Sequence, residues 1–139
     1  MDDSIKKINS LIEWYNNNSD KASIDKLLDF QDKLAAQTYF LSESLTKYHS
    51  EFTNAYRVRK WTFNKEKTAF IKDKMTAALA DAKAHTVTEV LKETEDFNYN
   101  IGYKLDIIIR SADRILKVCQ QRISYLKMEY DQTKKQNMT

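Results

Sequence analysis

Apolar side chains recur at alternating intervals of three and four residues over most of this chain, a spacing that suits long helices packed along apolar seams. From Ile24 the register reads Ile24, Leu27, Gln31, Leu34, Thr38, Leu41, Leu45, Tyr48, Phe52 and Ala55. A later run reads Val87, Leu91, Thr94, Asn98, Ile101, Leu105, Ile108, Ala112, Ile115, Cys119, Arg122 and Leu126. That run spans about 60 Å at 1.5 Å per residue. Sheet folds need tight turns that lean on Gly and Pro, and this chain has one glycine, Gly102, and no proline. The same scarcity removes both glycine-rich phosphate cradles, so P-loop nucleotide hydrolysis is excluded. At 139 residues the chain has the length of one domain. The expected fold is all-α, an elongated helical hairpin or bundle of long amphipathic helices forming a single domain over 1–139.

Punctuation in the sequence divides that pattern. A first helix over 4–17 carries Ile5, Ile8, Leu11, Ile12 and Tyr15 on one face and stops at the run Asn16, Asn17, Asn18, Ser19, Asp20, since Asn tolerates the left-handed conformation and competes with the backbone for hydrogen bonds. Ser23 is the N-cap expected for a long helix over 23–75. Gln31 and Thr38 interrupt its seam as either a tolerated polar edge or a register-setting pair. After Ala55 the seam positions turn polar, at Arg59, Thr62 and Glu66. Thr86 with Glu89 reads as a capping box, so a break is expected between Met75 and Thr86 and a last helix over 86–130. Residues 131–139 carry no pattern and are expected to fray. Ile107, Ile109, Leu116 and Ile123 broaden the last helix's apolar stripe beyond what a hairpin covers, which implies self-association.

Reactive chemistry is sparse. Cys119 is the lone cysteine, which forbids an intrachain disulfide and points to a reducing compartment. His49 and His85 sit in no metal-ligand spacing, and no nucleophile can be assigned a base. Neither an enzyme nor a cofactor is therefore expected. No apolar run long enough to cross a bilayer occurs, and the start MDDSIKK lacks the basic and apolar regions of a signal peptide. The expectation is a cytoplasmic protein without a membrane partner.

Charge is uneven. Net charge is −3 over residues 1–56, +5 over 57–75 and +1 over 76–139. In the basic stretch Arg57, Arg59, Lys60, Lys65, Lys67, Lys72 and Lys74 alternate with Tyr56, Trp61, Phe63 and Phe70. Cations that track phosphates, interleaved with aromatic faces that stack on bases, are what single-stranded DNA binding uses. The other reading is a solvated helix face whose aromatics are buried in the bundle. Arg110, Arg114 and Lys117 form a second basic row, with Asp106 and Asp113 at pairing distance along the helix.

Two places in this chain resemble the UvsY-type recombination mediators of tailed phages. One is Ala55, Tyr56, Arg57, Val58, Arg59, a basic residue, a spacer and an arginine in the basic aromatic segment 55–75. The other runs from about Tyr99 to Tyr130 and is similar to the family's C-terminal assembly helix. The resemblance implies DNA contact by Arg57 and Arg59, and the pattern of cations and aromatics adds Lys60, Trp61, Lys65, Lys67, Lys72 and Lys74 as candidates. It also implies a homo-oligomer held through Ile101, Leu105, Ile108, Ile115 and Leu126. The implied function is to load a RecA-like recombinase onto single-stranded DNA held by a single-strand-binding protein, in the host cytoplasm for a phage-encoded chain. A phage structural scaffold and a small inhibitor of a host defence system stay open as other readings.

Overall fold

A computed structural model describes residues 1–138 of the chain. It is 92% helical, and the described residues form four helices and no strand. The protein is all-α, as the seams require.

Helix α1, Asp2–Asn18, has Asp2 and Asp3 in its first turn, where carboxylates meet the positive end of the helix dipole. It runs through the asparagines expected to end it, and Asn18 Nδ2 donates back to Trp14 O at 2.9 Å. Ser23 Oγ then accepts from Lys26 N at 3.3 Å and starts α2, Ile24–Lys72. None of the ten seam positions from Ile24 to Ala55 is exposed. Thr38, 8% exposed, satisfies its hydroxyl on Leu34 O at 2.8 Å, so the seam carries it without a partner from another helix.

The break after α2 is sharper than the sequence suggests. Lys74 N donates to Ile71 O and Met75 N to Phe70 O, the two bonds of a Schellman ending, with Lys74 at φ 67 where glycine is usual. Thr76 Oγ1 accepts from Leu79 N at 3.3 Å and caps α3, Ala77–Val87. The capping box expected at Thr86 does not form. Thr86 lies inside α3 with its hydroxyl donating to Ala82 O at 3.1 Å, and α4 begins at Glu89 instead of 86. Helix α4, Glu89–Met138, also takes in the tail expected to fray.

The α4 seam sits off the expected line at alternate positions. Its inward side follows Thr88, Leu91, Glu95, Asn98, Gly102, Leu105, Ile109, Ala112, Leu116, Cys119, Ile123 and Leu126, none of them exposed. Leu91, Asn98, Leu105, Ala112, Cys119 and Leu126 are as expected, whereas Ile101, Ile108, Ile115 and Arg122 flank the seam, and Thr94 and Val87 are exposed. Leu105, read as an assembly residue, is 1% exposed. It belongs to the protomer's own core and offers no area to a partner. Among the described residues no helix is long and apolar enough to cross a membrane.

The chain divides into two compact units. The first comprises Met1–Ser44 and the chain from Leu105 onward. Its interior holds Ile8, Tyr15, Leu27, Phe30, Leu34, Leu41, Leu105, Ile109, Ala112, Cys119 and Ile123. The Phe30 ring lies 4.9 Å from that of Tyr15 and 5.7 Å from that of Trp14, which fastens α1 to α2. Cys119 Sγ donates to Leu27 O at 3.6 Å, and burial pushes its thiol pKa up. Arg122 Nη2 donates to Asp20 O at 3.2 Å in the α1–α2 connection. The second unit is the continuous stretch Leu45–Lys104. Its buried residues are Ala80, Ala84, Thr88, Glu95, Asn98 and Gly102, with Leu45, Phe52, Phe63, Phe70 and Leu91 half-buried around them.

Candidate nucleic-acid interface

The eight residues read as a DNA-binding segment all fall in the second unit, and the helix sorts them by side. Position 59 is on the inward line of α2, continuing Phe52 and Ala55, so Arg59 is turned away from solvent. Its Nε donates to Glu95 Oε2, and its Nη2 reaches Glu95 Oε1 at 3.3 Å. The Glu95 side chain is only 4% exposed and that of Arg59 21%. A carboxylate so buried needs a cation, and Arg59 supplies it, with Lys92 Nζ 3.7 Å from Oε1 as a second positive charge. The hydrogen bond to Glu95 raises the Arg59 pKa, fixing the guanidinium in its charged form. Arg59 is thus engaged in holding α2 to α4, and its Cζ lies 5.5 Å from the centre of the Tyr56 ring.

Lys67 is also engaged, its Nζ 3.3 Å from Asp81 Oδ1 of α3. Phe63 and Phe70 are half-buried, the first 4.6 Å from the His85 ring and the second beneath Lys83 Nζ at 5.9 Å. These two aromatics serve packing within the unit.

Arg57, Trp61, Lys65 and Lys72 remain, spaced i, i+4, i+8 and i+15, and all are exposed. That spacing places them on the outward side of α2 over about 22 Å. Trp61 is 65% exposed, and Lys65 Nζ lies 5.0 Å from the centre of its ring. Lys60 flanks the row, its Nζ 5.6 Å from the centre of the Tyr56 ring and 3.4 Å from its hydroxyl. Lys74 is exposed at the turn that ends α2. The outward row therefore combines free cations with one indole face open to solvent. An uncovered indole beside a cation can stack a base while the neighbouring cations meet phosphates.

Beside the Arg59–Glu95 pair lies an open groove of about 430 Å³ lined by Arg59, His85, Thr86, Thr88, Glu89 and Lys92. Glu89 and Glu95 offset its cations, so it lacks the positive excess of the outward row. Sequence reasoning missed Glu95 and Asp81, the carboxylates that take Arg59 and Lys67 out of the surface. A signal for Glu95 existed: it stands between Leu91 and Asn98 at a seam position, where a carboxylate demands a partner. Asp81 carries no such mark. Comparison of the chain with family models, curated proteins and solved structures gives no significant match.

Proposed function

We propose that the protein binds single-stranded DNA along the outward row of α2 and acts, as a homo-oligomer, as a recombination mediator. The observation that carries this reading is Trp61, an indole left two-thirds open to solvent at 65% exposure among Arg57, Lys65 and Lys72. Placing the activity in recombination rests on the resemblance of residues 55–59 and 99–130 to the mediator family. The mechanism is physical. One row of three cations, with Lys60 and Lys74 beside it, binds weakly, and several copies on one strand bind at high effective concentration. A strand held in this way is passed from a single-strand-binding protein to a RecA-like recombinase. Arg57 makes the phosphate contact, and Arg59 sets the pose of the helix that presents it.

Titration against short single-stranded and duplex DNA over a range of salt tests the reading. Single-strand affinity should fall with log salt at a slope of about −3, from four or five phosphates at roughly −0.7 each. Arg57→Ala should flatten the slope by about 0.7. Trp61→Ala should lower affinity by about 1 to 3 kcal/mol and leave both the slope and the melting temperature in place. Absence of single-strand binding at low salt overturns the proposal and favours a scaffold.

A further inference from the structure

Two strips of α4 carry large apolar side chains that stay half or more exposed in the protomer. In the second unit Val90 and Phe97 are 70% and 61% exposed, and with Thr94 and half-buried Ile101 they recur at four, three and four residues, on one side of the helix. In the first unit Val118 and Tyr125 are 50% and 51% exposed, and with half-buried Ile115 and Arg122 they recur at three, four and three. Exposed apolar rows of this kind mark interaction surfaces.

The strips carry opposite charge. Between Glu89 and Ile101 stand four carboxylates and one lysine, net −3, and between Asp113 and Lys127 stand four basic side chains and one aspartate, net +3. Arg59 takes up Glu95, which leaves Glu89, Glu93 and Asp96 exposed on one strip and Arg114, Lys117 and Lys127 on the other. Glu93 immediately precedes Thr94 and Arg114 immediately precedes Ile115, so each flanks its apolar row. Neither has an ion-pair partner among the described residues. Flanking charges of this kind set partner and orientation when helices pair.

We infer that residues 90–101 of one copy dock on residues 115–125 of a second copy of this chain. Pairing either strip with itself sets like charges together, Glu93 near Glu93 or Arg122 near Arg122, and like charges at an interface cost several kcal/mol. Cross-pairing sets an acidic strip, −2 once Arg59 is counted with Glu95, against +3 and covers both apolar rows with the same contact. A reciprocated contact closes a dimer, and an unreciprocated one continues to a ring or a filament. This inference deepens the self-association in the proposed function and is independent of whether the oligomer binds DNA.

The intact chain, 16.4 kDa, is measured at micromolar concentration by light scattering, with a mass above the monomer expected. Glu93→Arg and Arg114→Glu should each weaken self-association about tenfold, and the two exchanges together should restore it to within about threefold. Separately purified Phe97→Cys and Val118→Cys variants, mixed and oxidised, should form mixed disulfides in preference to either homodisulfide. Circular dichroism checks that each variant keeps its helix, and if a cysteine variant loses it, the charge exchange alone decides. A monomeric intact chain, a charge exchange that fails to restore association, or homodisulfides as abundant as mixed ones overturns the inference. Failure of the DNA titration with the oligomer intact overturns only the DNA-binding reading.

Discussion

The two units draw on the same two long helices and fill their interiors differently. In the first, Ile8, Leu27, Phe30, Leu34, Leu41 and Leu105 are at most 2% exposed, and burying such a side chain contributes about 1.5 to 3 kcal/mol. In the second, the fully enclosed side chains are the alanines Ala80 and Ala84, with Thr88, Glu95 and Asn98 nearly so. An alanine interior brings helices close but withdraws little apolar surface, so this unit relies on its half-buried Phe52, Phe63, Phe70 and Leu91 together with the pairs Arg59–Glu95 and Lys67–Asp81. Non-directional burial is concentrated in the first unit, so the second is expected to open at lower free energy. The surface proposed to meet DNA lies on the unit whose interior buries less apolar area.

Phe30→Ala attacks that contrast hardest. It should destabilise the first unit by about 3 to 5 kcal/mol, against about 1 kcal/mol for Ala84→Gly in the second, both read by urea unfolding. Equal effects would break the comparison. Next in size is the ion pair. Arg59→Ala should cost about 2 to 3 kcal/mol, less than a fully buried pair because Lys92 stays beside Glu95, while Arg59→Met with Glu95→Leu should return near the starting stability. If Arg59→Ala leaves the urea midpoint unchanged, the pair does not hold the unit and Arg59 is free for DNA. The smallest effect comes from moving the glycine. Lys74→Gly relieves a left-handed lysine, worth about 1 kcal/mol. Gly102→Ala places a Cβ 3.9 Å from Leu45 Cδ1, an ordinary contact, and gains about 0.5 to 1 kcal/mol of helix propensity. Thermal unfolding should show both changes stabilising, and a loss on Gly102→Ala would mean that α4 needs the closer approach.

Helix type was legible because Leu, Ile and Phe at alternating spacing leave few other solutions. The α2 seam could be placed because polar residues bracket it. On α4 the run Ile107, Ile108, Ile109 made the stripe too wide for periodicity to choose its centre, and Glu95 and Gly102 drew no notice beside Thr94 and Ile101. Burial then fell on Ile109, while Ile108 came to the flank. The cations of 57–74 were legible as a group but not as individuals. Their partners stand 14 residues away for Lys67 and 36 for Arg59, beyond any local pattern, and only packing shows that Arg57 is exposed while Arg59 is held. The turn at Lys74 was invisible because glycine usually fills that position.

One feature of the division governs the order in which the molecule is made. The second unit is an unbroken stretch, while the first combines residues from both sides of it. A ribosome delivers chain from the N-terminus at about 5 to 20 residues per second, so all of Leu45–Lys104 is in hand before Leu105 arrives. Once that stretch has folded, the segments on either side need not close a loop of free chain, a saving of about 3 to 4 kcal/mol of closure entropy. The second unit is complete while the apolar core still lacks Leu105, Ile109, Ala112, Cys119 and Ile123, five of its eleven buried residues, and that core is the last part of the molecule to close.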